Sequence, residues 1–167
     1  FGSSRSRFQL PGTRLLGAMA ADRTGRTYFI TGGASGLGLA TARLLVSQGA
    51  SVALGDKNAE DGKRAEQELG PRCLFVELDV TDKASVRAAI RAAVDRFKTL
   101  NGVINCAGIG SAFTTIDKKL EPHNDRFFDF VCKINLYGTF YGSSEGAAEM
   151  AKLPADAEGN RGGIINV

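Results

Sequence analysis

The residues with the clearest chemical potential form a glycine-rich segment at 31–38, with the sequence Thr-Gly-Gly-Ala-Ser-Gly-Leu-Gly. An apolar run typical of a strand precedes this segment at 27–30, and a pattern typical of a helix follows it. Glycines at a strand-to-helix turn let the backbone approach a phosphate closely, and the free amides at the start of the helix attract its charge. The segment therefore predicts a site for the pyrophosphate of a dinucleotide.

The glycines of this segment have separable roles in the prediction. Gly32 allows a tight exit from the strand, Gly36 omits the Cβ that would block the pyrophosphate, and Gly38 lets the helix pack against the sheet. The amides of Ser35 and Leu37 are among those expected to donate to phosphate oxygens. A plain glycine-rich loop is the alternative, and the strand before it and the helix after it count against that alternative.

A carboxylate follows the second predicted strand at Asp56, 18 residues beyond Gly38. An acidic side chain at this position can accept hydrogen bonds from both ribose hydroxyls of an adenosine, and it repels a 2′-phosphate. We therefore expect NAD rather than NADP as the cofactor. Two alternatives stay open: the cation of Lys57 could tolerate the phosphate, and Asp56 could be a turn residue ahead of Asn58.

Composition excludes several classes of protein. The chain has 167 residues, of which 43% are hydrophobic, and a formal net charge of +3. This size and composition suit one soluble domain with a real core. The basic residues form no runs with interleaved aromatic residues, and no apolar stretch approaches the roughly 18 residues of a membrane span. We therefore expect a small-molecule substrate, with neither a nucleic acid nor a membrane as partner.

The cysteines and the histidine do not form a pattern of ligands or nucleophiles. Cys73, Cys106 and Cys132 are odd in number and far apart in apolar sequence, so we expect buried reduced thiols rather than disulfides or a zinc site. The single histidine, His123, lies in a polar stretch beside Pro122 and is expected to be a solvated side chain.

Short apolar runs alternate with helical stretches along the chain, which predicts an α/β fold with a doubly wound parallel sheet of the Rossmann type. The predicted strands cover 28–31, 51–55, 73–78, 103–106 and 163–167, and the predicted helices cover 36–48, 59–69, a stretch from about 81 to 97, and 127–150. In the first helix, Leu37 and Leu44 are expected among the buried contacts. We expect one dinucleotide-binding domain over 25–167 that is incomplete after its fifth strand.

The first 24 residues form a leader in this division. Residues 1–21 contain arginines and serines but no acidic residue, which is the composition of an organellar transit segment. The alternative is that Met19 is the true start and that the upstream residues are not part of the working protein. The expected location is therefore mitochondrial or cytoplasmic.

The glycine spacing at 31–38 resembles that of the short-chain dehydrogenase/reductase family, and two further motifs follow in the family's order. Asp79-Val80, after the third strand, is similar to the family's adenine-contacting pair. Asn105-Cys106-Ala107-Gly108 is similar to its Asn-Asn-Ala-Gly motif, with cysteine in the second place. The resemblance implies that these six residues bind the cofactor.

One residue of the long helix also matches the family. Asn135, in Ile-Asn-Leu-Tyr-Gly, corresponds to the family's helix asparagine, which implies a catalytic role in a proton relay through a water. The resemblance covers about 25–167 and implies an enzyme that transfers hydride between NAD and a secondary alcohol. Within the family the chain looks closest to enzymes that oxidise the 3-hydroxyl of acyl-CoA thioesters or hydroxysteroids, and family members usually assemble as homotetramers.

The family's mechanism also needs a serine and a Tyr-x-x-x-Lys pair. The tyrosines of this chain are Tyr28, Tyr137 and Tyr141, and none is followed by lysine at the fourth position. We therefore expect this chain to be the N-terminal part of the enzyme and to be inactive alone. Two alternatives are an NADP-linked 3-oxoacyl or carbonyl reductase of the same family and a non-catalytic nucleotide-binding fragment.

Overall fold

The structure is a computed structural model that describes residues 22–110 and 114–167. The predicted leader lies outside the described residues except for Asp22, Arg23 and Thr24. In the described part of the chain, five parallel strands form one sheet, and helices pack on both of its faces, while the edge strand at residues 163–166 is exposed. The predicted doubly wound parallel sheet is confirmed.

The strand order is β3-β2-β1-β4-β5. The strands are β1 (Thr27–Thr31), β2 (Ser51–Asp56), β3 (Cys73–Glu77), β4 (Gly102–Asn105) and β5 (Gly163–Asn166). The helices are α1 (Gly36–Ser47), α2 (Ala59–Leu69), α3 (Lys83–Phe97), α4 (Asp125–Cys132) and α5 (Thr139–Met150), with a 3₁₀ turn at Gly70–Arg72. A π-helical stretch, Lys133–Gly138, joins α4 to α5. The predicted long helix is therefore present, but its regular pattern is interrupted.

The core lies on both faces of the sheet because successive strand residues point to opposite sides. In β1, Phe29 packs on the side of α3, and Ile30 packs on the side of α1. Val103 and Ile104 repeat this alternation in β4, and all four side chains are at most 6% exposed. A parallel sheet covered on both faces gives strands that are apolar throughout, which is the pattern seen in the sequence.

Helix α1 is rotated relative to the sequence prediction. Leu37 and Leu44, which were expected to be buried, are 68% and 57% exposed, whereas Leu45 is buried. The cause is Gly38, where a Cβ would lie 2.2 Å from the carbonyl oxygen of Gly32. This close approach fixes which side of α1 faces the sheet. The prediction for Leu37 and Leu44 was therefore wrong.

Helix α5 lies close to the sheet through glycines spaced four residues apart. A Cβ on Gly142 would lie 2.2 Å from Oδ1 of Asn105, and a Cβ on Gly146 would lie 2.4 Å from Cγ2 of Val103. One turn earlier, a Cβ on Gly138 would lie 2.9 Å from Cγ2 of Val80, a residue between β3 and α3. The absence of side chains on this face of the helix therefore sets its distance from β4.

Ion pairs join α5 to α3 at the outer edge of this packing. Arg87 donates to both carboxylate oxygens of Glu145, at 2.9 and 3.0 Å, and Nζ of Lys83 lies 3.7 Å from the same carboxylate. One turn later, Glu149 accepts from Lys152 at 2.8 Å and from Arg91 at 3.3 Å. The hydrogen bond from Arg87 lowers the pKa of Glu145.

The outer edge of the sheet at β3 is covered by α2. Gly62 lies against the ring of Phe75, so the helix approaches the strand closely. Oε1 of Glu66 accepts the backbone N–H of Phe75 at 2.9 Å. A side chain of α2 therefore satisfies a donor that an edge strand leaves unpaired.

Replacing Gly142 by alanine tests the packing of α5, because helix propensity and steric contact predict opposite signs. Alanine is favoured over glycine in a helix interior by about 1 kcal/mol, but the buried Asn105 side chain occupies the space that the new Cβ needs. We expect Gly142→Ala to lower the free energy of unfolding by about 1–3 kcal/mol, as overpacking does. Urea denaturation measures this value, and Ala148→Gly on the exposed side of α5 is the control for propensity alone. A more stable Gly142→Ala variant would contradict the contact.

Replacing Glu145 by glutamine tests the ion pair between α3 and α5. The pKa of Glu145 is lower in the folded state than its ordinary value of 4.5, so its stabilising effect is present above that pH and is lost as the pH falls through the folded-state pKa. We expect Glu145→Gln to lower the urea midpoint at pH 7, with a difference from wild type that shrinks under acid conditions. Glu158→Gln, in an exposed loop, is the control. A difference that stays constant with pH would exclude this explanation.

Candidate functional site

A cleft of about 620 Å³ opens where the direction of the chain through the sheet reverses. From β1 the chain builds outward to β2 and β3, and it then returns to place β4 on the other side of β1. Loops after parallel strands diverge at such a switch point and leave a crevice at the carboxyl ends of the strands. The cleft is lined by residues that follow β1, β2, β3 and β4, with one wall from the start of the long helix.

The structure brings most of the predicted site residues together in this cleft. Those that line it are Gly32, Ser35, Gly36, Leu37, Gly38, Asp56, Asp79, Val80, Cys106, Ala107 and Gly108. They come from four separate loops, and the sheet alone brings them together. Two predicted residues, Asn105 and Asn135, do not line the cleft.

The glycine turn is crowded on two sides and open on the third. Gly32 has φ 65°, and a Cβ there would lie 2.8 Å from the backbone nitrogen of Ala107 at the exit of β4. Gly38 was predicted to let the helix pack against the sheet. Its closest contact is instead with the carbonyl of Gly32, within the turn itself. Gly36 has φ 51°, and a Cβ there would meet no atom within 4 Å. The open side at Gly36 faces the cleft, where a ligand has room.

Helix α1 begins without a side-chain cap. The side chain of its N-cap residue, Ser35, makes no capping hydrogen bond, whereas Asn58, Asp82 and Asn124 cap the three other α-helices that start after a loop. Among the described residues, no acceptor binds the amides of Ser35, Gly36 and Leu37. Unpaired amides and the positive end of the helix dipole favour an anion at this point of the cleft.

Asp56 lies across the turn, as the last residue of β2. Its Oδ2 accepts the amide of Ala34 at 3.1 Å, and its Oδ1 accepts the amide of Asn58 at 3.0 Å. Asp56 therefore does bond the backbone of the neighbouring turns, which was the alternative left open by the sequence. It also lines the cleft, so the two roles are compatible. An ionised carboxylate has about four acceptor sites, so these two bonds leave it able to accept from hydroxyl groups.

A second carboxylate of the cleft, Asp79, is fixed at the start of α3. Its Oδ1 accepts from the backbone amide and the hydroxyl of Thr81, at 2.9 and 2.7 Å. Its Oδ2 accepts from Nζ of Lys57 at 3.1 Å. The bonds from Thr81, followed by the ion pair with Lys57, lower the pKa of Asp79, so this carboxylate is ionised at neutral pH.

Asn105 and Asn135 support the cleft from outside. Asn105 is buried, and its Nδ2 donates to Oδ1 of Asn166 at 2.8 Å and to Oγ of Ser143 at 3.1 Å, which ties β4 to β5 and α5. Asn135 lies in the π-helical stretch, where its side chain accepts from the amide of Ile109 and donates to the carbonyl of Ile109, both at 2.9 Å. Both polar atoms of the Asn135 side chain therefore have partners, whereas Oδ1 of Asn105 is buried and accepts no hydrogen bond within the described part of the chain.

None of the three cysteines forms a disulfide bond. Cys73 is buried, and burial raises the pKa of its thiol to about 12. Cys106 and Cys132 are half-buried, and desolvation raises the pKa of Cys106. All three are free thiols, as predicted, although only Cys73 is fully buried. Cys106 is therefore a neutral, apolar part of the cleft wall.

An apolar wall of the cleft was missed in the sequence. Phe130 and Ile134 line it from the long helix, and Ile109 lines it from the segment after β4. Phe130 and Ile134 are four residues apart, so they share a helix face, and this spacing was the signal available. The sequence does not show, however, that the helix face with Phe130 and Ile134 lies over the carboxyl ends of the strands.

Metal ligands and membrane spans are not features of the described part of the chain. Among residues 22–110 and 114–167, no group of three His, Cys, Asp or Glu side chains could hold a metal ion. No helix within these ranges has the length and apolar character to cross a bilayer. His123 does not line the cleft, and its backbone amide donates to the carbonyl of Thr115.

Comparison with known proteins identifies the family. The family model described as short chain dehydrogenase matches residues 26–167. The 3-hydroxyacyl-CoA dehydrogenase type-2 of Bos taurus is 43% identical over 143 residues, covering 85% of this chain and 55% of that protein. The protein of the same name from Homo sapiens is 44% identical over 138 residues, covering 82% and 53%. This chain therefore spans about half the length of these relatives.

A solved structure extends the similarity to three dimensions. The crystal structure of 3-hydroxyacyl-CoA dehydrogenase type-2 from Mycobacterium avium matches with a TM-score of 0.80 at 34% identity, covering 85% of this chain and 56% of that one. The shared part includes the parallel sheet and its flanking helices. Because the family model matches most of the sequence, the chain belongs to the short-chain dehydrogenase family.

Proposed function

We propose that this chain binds NAD in the cleft and is the cofactor-binding part of an enzyme that oxidises 3-hydroxyacyl-CoA to 3-oxoacyl-CoA. The observation that carries the proposal is the uncapped start of α1, which borders the cleft at Gly36 with the carboxylate of Asp56 across the turn. The N-terminus of α1 can bind the diphosphate of a dinucleotide, and the nearby carboxylate can accept hydrogen bonds from the hydroxyls of its ribose.

Each part of the cleft has a proposed role toward the dinucleotide. The amides of Ser35, Gly36 and Leu37 bind the pyrophosphate, and Asp56 accepts from the ribose hydroxyls. Asp79 and Val80 contact the adenine. Cys106, Ala107 and Gly108 border the cofactor with little side-chain bulk at the exit of β4, where the backbone already approaches the glycine turn.

The proposed reaction removes a hydride from the alcohol carbon and a proton from its oxygen. NAD, when bound, supplies the acceptor of the hydride. The proton needs a base, which in the family is the tyrosine of a Tyr-x-x-x-Lys pair. No tyrosine of this chain is in such a pair, because glycine, tyrosine and glutamate stand four residues after Tyr28, Tyr137 and Tyr141. We propose that the base belongs to a longer protein and that this chain alone binds the cofactor without turnover.

Asn135 is proposed to serve the proton relay of that longer protein. Both polar atoms of its side chain are bonded to the backbone of Ile109. The side chain therefore acts as a positioning group, because it holds the segment after Gly108 against the long helix. A relay water would have to be bound by another atom of this region.

The substrate, assembly and location are proposed from the relatives, the family resemblance and the composition of the first residues. An acyl-CoA thioester is proposed because the relatives named above are 3-hydroxyacyl-CoA dehydrogenases. A homotetramer is proposed for the longer protein by its resemblance to the family. A mitochondrial location is supported by the composition of residues 1–21, and a cytoplasmic location remains the alternative proposal. An NADP-linked reductase is the second candidate function, because the cation of Lys57 lines the cleft.

An assay of the complete open reading frame tests the proposed reaction. We expect oxidation of NADH with acetoacetyl-CoA by the protein from the complete frame, and no turnover by the 167-residue chain, which lacks Tyr-x-x-x-Lys. Failure with acetoacetyl-CoA alongside turnover of a steroid would move the enzyme to another substrate class. Stable protein that binds NADH, from a frame that ends at Val167, would instead favour a non-catalytic nucleotide-binding module.

Replacing Gly36 by alanine tests the binding of the pyrophosphate. The new Cβ meets no protein atom, so the fold loses only the roughly 1–2 kcal/mol of a left-handed alanine. The same Cβ fills the open side of the turn, so we expect about tenfold weaker NADH binding or more, measured by fluorescence titration. Gly159→Ala is the control, since Gly159 also has a positive φ and open surroundings but lies outside the cleft. Equal NADH affinity in both variants would place the phosphate elsewhere.

A further inference from the structure

Lys57 is a feature of the cleft that disagrees with a preference for NAD. It follows Asp56 directly and lines the same cleft, where a free ammonium could bind a 2′-phosphate. In the structure the ammonium is not free: Nζ lies 3.1 Å from Oδ2 of Asp79. An exposed pair of this kind contributes little to stability, so we expect it to act on the charge of the cleft rather than on the fold.

The two partners of this pair differ in how firmly they are held. Asp79 is fixed, because Thr81 donates twice to its other oxygen and the amide of Asp79 donates to Oγ of Ser85 at 3.2 Å. The side chain of Lys57 is 79% exposed, and its only ion pair in the described part of the chain is with Asp79. The position of the ammonium is therefore determined by the carboxylate, and not the reverse.

The pair also joins two neighbouring strand ends. Lys57 follows β2 and Asp79 follows β3, and these strands are adjacent in the sheet. The ammonium is therefore directed toward the β3 side of the cleft, away from β1 and the glycine turn. In addition, the two carboxylates of Asp56 and Asp79 outnumber the one ammonium group of Lys57, so this part of the cleft has a net negative charge. Both effects oppose an additional phosphate.

We propose that the ion pair between Lys57 and Asp79 is a specificity-determining element that keeps the Lys57 ammonium from binding a 2′-phosphate and so makes the cleft selective for NAD over NADP. This inference rests on the proposed function, since it assumes that the cleft binds a dinucleotide. It assigns to Asp79 a role in selectivity in addition to its proposed contact with adenine.

Asp79→Asn tests the proposal through the ratio of NADPH to NADH affinity in the 167-residue chain. Asparagine keeps an acceptor for Thr81, so the start of α3 retains its local hydrogen bonds, but it no longer pairs with the ammonium. Any change in the adenine contact affects both nucleotides equally and cancels in the ratio. We expect the ratio to shift toward NADPH by up to about fivefold, the upper end of the range for an exposed ion pair.

Lys57→Met, compared with the double variant Asp79→Asn/Lys57→Met, separates release of the lysine from simple loss of negative charge. A pure charge effect would return the double variant to the wild-type ratio and would give Lys57→Met a shift toward NADH as large as the opposite shift of Asp79→Asn, a result that overturns this inference. If the gain in NADPH affinity comes from the released ammonium, it disappears in the double variant, whereas Lys57→Met alone changes the ratio less than Asp79→Asn does. A gain that persists without Lys57, or no shift in Asp79→Asn while the wild type binds NADH, overturns this inference alone. Absence of binding of either nucleotide to the wild type overturns the proposed function and this inference together.

Discussion

The structure depends on a close approach of three backbone segments at the point where the sheet reverses direction. The turn after β1 passes over the exit of β4 at Gly32, and the first turn of α1 rests on the carbonyl of Gly32 through Gly38. A Cβ at either glycine would lie under 3 Å from backbone atoms, which are unable to move aside as a flexible side chain can. This contact fixes the rotation of α1, and it leaves the amides at the start of that helix facing the cleft rather than a capping side chain.

The surrounding structure holds this contact in place from both sides. Asp56 bonds the amide of Ala34 and so ties the glycine turn to the end of β2. On the other side, Asn105 ties β4 to α5, and the glycines of α5 allow the helix to lie near the strand. Side chains that look like candidate ligands in the sequence therefore also have structural partners. The same residue type serves both purposes because hydrogen-bonding side chains at strand ends are within reach of neighbouring loops.

Much of the fold could be predicted from the sequence because local patterns determine it. The alternation of strands and helices, the bounds of α2 and the glycine turn follow from short-range periodicity and turn residues. The rotation of α1 was not predicted, because it depends on the contact between Gly38 and Gly32. The π-helical stretch was also missed, since no local residue distinguishes it from a regular helix.

The candidate site was predictable where it lies within one strand-to-helix unit, and less so where distant elements meet. The residues after β1 and β2 line the cleft in the way that their motifs indicate. Asn105 was expected in the cleft, but its register opposite Asn166 in β5 turns it toward a partner that is 61 residues away. The pair of Lys57 with Asp79 depends on the adjacency of β2 and β3, which a linear sequence does not display.

The hydrogen bond from the amide of Phe75 to Glu66 has a consequence for how molecules of this protein meet one another. An outermost strand with free amide groups offers a template on which a strand of another molecule can add. Here the carboxylate of Glu66 accepts the amide of Phe75, in the middle of β3. An incoming strand would have to displace this negatively charged group to pair there. This border of the sheet is thereby protected against edge-to-edge aggregation.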